Sequence, residues 1–115
     1  MRHNFRELNI WKESIQLVEK VYTLSEKLPK SEKFGLISQI RRCAVSIPSN
    51  IAEGSGRSTD KDFRRFIDIS LSSSYELETQ LILATNLFKI DSQEIQIELQ
   101  NLQKMIGGFK KVITS

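Results

Sequence analysis

The sequence predicts an all-α protein, an antiparallel up-down four-helix bundle occupying residues 1–115 as a single domain. Three observations carry this expectation. Apolar residues recur every three or four positions over four long stretches. Only two prolines and five glycines interrupt 115 residues, too few for the turns of an all-β fold. The breaks between stretches are short, which makes neighbouring helices antiparallel.

The first helix spans about Asn9–Leu28. Leu8, Trp11, Ile15, Val18 and Tyr22 form one face, and Ile10, Leu17, Val21, Leu24 and Leu28 a second. Pro29 stops it. The second spans about Ser31–Glu53, with an apolar face of Leu36, Ile37, Ile40, Ala44, Ile47 and Ile51. Pro48 cannot donate to the carbonyl of Ala44, so a kink is expected there. Gly54-Ser55-Gly56 closes the helix, with glycine suited to a left-handed cap.

The third helix opens at Ser58-Thr59-Asp60-Lys61-Asp62, where Thr59 and Asp62 resemble a capping box, and runs to about Lys89. Phe63, Phe66, Ile67, Ser70, Ser74, Leu77, Leu81, Ala84 and Phe88 make its core face. Ile69, Leu83 and Leu87 make a second apolar side, and Leu71, Tyr75 and Ile82 a third. The fourth helix starts at Asp91, a capping residue. Ile95, Leu99, Leu102, Ile106, Phe109 and Ile113 then follow at spacings of four, three, four, three and four, a narrow coiled-coil-like seam.

A bundle of this size needs one inward stripe per helix, and the first and third carry more. Contiguous apolar surplus marks an interface. The expectation is a homo-oligomer whose interface uses Ile10, Leu17, Val21, Leu24, Ile69, Leu83 and Leu87. The plainer reading is a wide core face with some apolar residues left in water. The run of Ser70, Ser72, Ser73 and Ser74 reads as close helix packing, or as solvent-facing filler.

Net charge is +3, from 17 basic and 14 acidic residues. That permits nucleic-acid binding without requiring it. Arg41, Arg57, Lys61, Arg64 and Arg65 gather near the second and third helices, where guanidinium forks suit phosphate. Local pairing with Asp60, Asp62 and Asp68 on a solvated face is the competing reading. Lys104, Lys110 and Lys111 form a weaker second group. Phe63, Phe66 and Phe109 are assigned to core stripes, which leaves neither group an aromatic free to stack, so backbone and shape recognition of RNA or DNA is expected, without base stacking. The polar file Arg42, Ser46, Asn50 and Glu53, meeting Glu76 or Glu78, reads as a structural network at a helix or subunit seam.

No catalytic, cofactor or metal site is expected. His3 is the only histidine and falls in a terminal tail, so neither a di-iron bundle nor a histidine-assisted nucleophile can be built. Gly54-Ser55-Gly56 follows a helix and lacks the lysine of a phosphate loop. Glu76 and Glu78 project about 200° apart on a helix and cannot work as a pair. Cys43, the lone cysteine beside Ala44, reads as a small buried hydrophobe. No stretch approaches the ~20 apolar residues of a membrane span, and the N-terminal stretch Met1–Phe5 has no signal-peptide pattern. A cytoplasmic protein is the expectation.

Leu8-x-x-Trp11, the stretch Arg42–Arg57, Asp62-Phe63-x-x-Phe66 and Ser74-Tyr75-Glu76-Leu77-Glu78-Thr79-Gln80-Leu81 carry a family likeness over almost the whole chain. They resemble the four-helix-bundle family named for proteins encoded in intervening sequences of bacterial 23S rRNA genes, sometimes labelled ribosomal protein S23. Ser-Ile-x-x-Asn-Ile-Ala-Glu-Gly, here Ser46–Gly54, is its most specific piece. Cys43 is a modest departure at a position that often holds a small residue. The resemblance implies a cytoplasmic bacterial protein assembling as a homo-oligomeric ring, a pentamer. It also implies kinship with the accessory variability protein of diversity-generating retroelements, a basic barrel that binds nucleic acid. Ribosomal-protein status does not follow from the label. Two functions stay open: binding of structured RNA or other nucleic acid, and a scaffold that docks a partner protein.

Overall fold

A computed structural model describes residues 3–114. They form a four-helix bundle of α1 (Asn9–Ser25), α2 (Leu36–Ser55), α3 (Asp60–Phe88) and α4 (Gln93–Thr114), with no strand among the described residues. Each helix packs on its chain neighbour, and α4 returns to pack on α1. The core is a continuous aliphatic column with Phe63 at one end, and it takes in Val21, Ile40, Ile47, Ile51, Ile67, Leu77, Leu81, Leu99 and Ile106. Burying an aliphatic or Phe side chain of this size contributes about 1.5–3 kcal/mol.

Helix boundaries follow local chemistry. A 3-10 turn at Phe5–Glu7 is capped by Asn4, whose Oδ1 accepts from the Arg6 N–H at 3.2 Å. Helix α1 ends at Ser25, short of Leu28, because the chain tightens there: Lys27 and Leu28 donate to the carbonyls of Leu24 and Ser25. The tightened turn still delivers Leu28 into the core. Helix α2 starts at Leu36, later than the sequence suggests. A 3-10 turn at Lys30–Glu32 comes first, and Gly35 departs from helical dihedrals (φ −106, ψ −113). Glu32 then caps the helix by accepting from the Leu36 N–H at 3.1 Å.

The end of α2 corrects one expectation. Gly56 caps the helix at φ −90 and ψ −2, and no described glycine has a positive φ. The glycine that matters is Gly54, which is buried: a Cβ there would lie 2.7 Å from Phe63 Cδ1 and 2.7 Å from Phe66 Cβ. Glycine is needed for close approach to α3 and not for backbone handedness. Helix α3 opens as its sequence implies, with Thr59 Oγ1 accepting from the Asp62 N–H at 3.1 Å. It closes on Lys89, the described non-glycine residue in the left-handed region (φ 59). The turn into α4 is pinned by Thr85 Oγ1, which donates to the Ile90 carbonyl at 2.6 Å and lies 2.8 Å from Ser92 Oγ. Asp91 Oδ1 accepts from the Gln93 N–H at 3.1 Å.

Candidate nucleic-acid interface

The link between α2 and α3 sets the geometry of the basic cluster. Gly54 lets the end of α2 sit against Phe63 and Phe66, so Arg57 emerges beside the first turn of α3. Its Nη2 donates to Glu53 Oε1 at 3.2 Å, and its Nε lies 3.7 Å from Asp62 Oδ2. Arg65 reaches the other oxygen, with Nη2 2.9 Å and Nε 3.0 Å from Asp62 Oδ1. Both guanidinium groups also lie over the Phe66 ring, at 4.5 and 4.6 Å from its centroid. Asp62 therefore draws together two arginines and offsets part of their charge. Neither Lys61, which is exposed, nor Arg64, which is half-buried, has an ion pair among the described residues. On the far side of Phe63, the His3 ring packs at 5.0 Å and its Nε2 lies 3.7 Å from Asp60 Oδ1. His3, which the sequence places in a terminal tail, is thus docked against this end of the bundle.

Arg41 does not join the cluster. It lies roughly 20 Å away along α2, at a helical rise of about 1.5 Å per residue. Its Nε donates to Ser25 Oγ at 2.8 Å, and its guanidinium stacks over Tyr22 at 4.5 Å. Lys110 of the second basic group is paired with Asp68 at 2.6 Å.

The polar file divides into separate contacts. Ser46 Oγ meets Ser73 Oγ at 2.8 Å, and Asn50 Nδ2 donates to both the carbonyl and the hydroxyl of Ser46. This is a true α2–α3 network. Glu76 accepts from Cys43 Sγ at 3.6 Å, and Gln80 Nε2 donates to that sulfur at 3.4 Å. Burial pushes the Cys43 thiol up; the Gln80 bond opposes the shift and nearby Glu76 adds to it. The thiol is held protonated, which weakens it as a nucleophile. Glu78 turns to α4, accepting from Gln100 and Gln103 at 3.1 and 3.0 Å. Glu53 is taken by Arg57, and exposed Arg42 shares none of these bonds.

The predicted oligomer surface needs correcting. Ile10, Leu17, Val21 and Leu24 lie in the protomer's own core and have no face to offer a partner. Ile69, Leu83 and Leu87 are exposed, with Leu87 reaching 64%. The outward apolar surface of α1 is its other stripe. Trp11, Ile15 and Val18, with Phe5, Val45 and Pro48, line a trough of about 440 Å³ on the α1–α2 face. The two stripes of α1 are indistinguishable by periodicity alone, which is why the assignment inverts.

A second groove, of about 610 Å³, continues from that trough past Val45 and is flanked by Tyr22, Lys33, Phe34, Arg41 and Arg42. Sequence reasoning missed it, although Phe34 outside the apolar stripe and before Gly35 was a visible signal. Among the described residues no group of three or more His, Cys, Asp or Glu side chains is placed to hold a metal ion. Among the described residues no helix is long and apolar enough to cross a membrane.

A family model described as 23S rRNA-intervening sequence protein matches residues 6–108. No curated protein matches the chain.

Proposed function

The chain belongs to the 23S rRNA-intervening sequence protein family, and from that premise we propose that it is a non-catalytic, self-assembling bundle that binds structured nucleic acid. In this reading the helices run up and down, antiparallel, and copies join into a cytoplasmic ring, a pentamer. The observation that carries assembly is the pair of unlike apolar surfaces. One is the outer side of α3 with Ile69, Leu83 and Leu87; the other is the α1–α2 trough around Trp11 and Pro48. Organised apolar surface of this kind is characteristic of interfaces. Joining unlike patches head to tail generates a ring where the rotation closes, whereas a two-fold dimer pairs each patch with itself.

Phosphate binding is supported by the α2–α3 end. Arg57 and Arg65 are braced by Asp62 and Phe66, and Lys61 and Arg64 stand beside them without a carboxylate partner among the described residues. Two measurements test the proposal. Light scattering is expected to give a multiple of the 13.3 kDa chain mass, and Leu83→Glu with Leu87→Glu should lower it. A monomer at micromolar concentration would sink the assembly. Binding to a labelled RNA hairpin is expected to weaken with salt, and Lys61→Glu with Arg64→Glu should flatten the log–log slope by about two units. An unchanged slope would show that the contacts lie elsewhere.

A further inference from the structure

The groove beyond Val45 differs from the α2–α3 end in one decisive respect: among the described residues, no carboxylate lines it. Lys33, Arg41 and Arg42 surround it, Ile37 and Val45 supply apolar wall, and Tyr22 and Phe34 present rings. Arg41 is held in place by its bond to Ser25 and its stacking on Tyr22, and its two terminal amino groups have no partner among the described residues. Phe34 is 89% exposed, with Lys33 Nζ 5.3 Å from its ring centroid. A phenyl ring left in water forfeits about 1.5–3 kcal/mol of burial, so its placement beside three cations calls for a ligand that is both flat and anionic.

We propose that this groove binds unpaired nucleotides of a single-stranded nucleic-acid segment, with Phe34 stacking a base, Lys33, Arg41 and Arg42 taking phosphates, and Tyr22 holding Arg41 in place. The inference rests on the nucleic-acid reading above but assigns a different site and a different form of the ligand. Its volume falls within the roughly 300–1,000 Å³ usual for ligand pockets. Stacking on aromatic rings within a cationic groove is how single strands are held without sequence preference. An acidic peptide would satisfy the cations but would leave the exposed ring without a flat partner. The structure thereby supplies the stacking ring and the braced arginine that linear spacing hides, because Tyr22 closes α1 while Phe34 precedes α2.

Fluorescence anisotropy with a labelled 12-nucleotide oligouridine and a blunt 12-base-pair RNA duplex tests the proposal. Wild type is expected to bind the single strand. Phe34→Ala should weaken that binding by about five- to a hundredfold and leave duplex binding unchanged; Lys61→Glu with Arg64→Glu should do the reverse. Phe34→Trp should retain single-strand binding, and its indole emission should be quenched at saturation. Single-strand binding that survives Phe34→Ala overturns this site and leaves the duplex reading standing. No binding of either RNA at low salt overturns both. Displacement by oligoglutamate as readily as by unlabelled oligouridine reduces the groove to a charge site and overturns the stacking. A fall in oligomer mass on Phe34→Ala overturns it too, since the ring would then belong to a contact between copies.

Discussion

The seam between α2 and α3 and the seam between α1 and α4 are built on opposite principles. At the first, small residues bring backbones together. Gly54 sits under Phe63 and Phe66, buried Ser70 donates to the Ile47 carbonyl at 3.0 Å, and Ser46 meets Ser73. At the second, polar Glu13, Gln16 and Asn101 rim a gap of about 140 Å³ also lined by Leu17, Leu102 and Met105, with an exposed Lys20–Glu98 ion pair beside it. Close packing without voids is costly to disturb, whereas an ion pair in water contributes little. The basic cluster stands at the end of the tight seam, so its arginines inherit a rigid support.

The largest effect should come from Gly54→Ala. Its Cβ would overlap Phe63 and Phe66, and overpacking of this kind costs about 1–3 kcal/mol. Urea unfolding should show a lowered midpoint; an unchanged midpoint would mean that the seam yields easily and the contrast is false. Ser70→Ala comes next. It removes a buried hydrogen bond and should cost about 1 kcal/mol by the same measurement. Lys20→Met should be the smallest. Its ammonium pKa is raised by the Glu98 hydrogen bond, yet the side chain is exposed, and no midpoint shift is expected at physiological salt. A clear loss of stability there would place real energy in the α1–α4 seam.

Much of the fold is legible in the chain. The caps at Thr59 and Asp91 and the α4 seam from Ile95 to Ile113 follow from interactions within a few residues, which linear spacing records. The serine run also reads correctly in part: Ser70, Ser73 and Ser74 are buried, while Ser72 is exposed. The candidate site is less legible. The sequence places Arg41 with Arg57 near the junction of the second and third helices, yet Arg41 lies within α2 and most of that helix separates the two; Tyr22 and Arg41 meet only because α1 and α2 pack.

The sequence by itself determined the number of helices, the caps at Thr59 and Asp91 and the family, because helix periodicity and these side-chain caps are local physics. Only the tertiary structure decided which stripe of α1 faces inward, why Gly54 must lack a side chain, and which basic groups have carboxylate partners. Each of these depends on atoms far apart in the chain, and burial and charge pairing have no value until packing brings those atoms within a few ångströms.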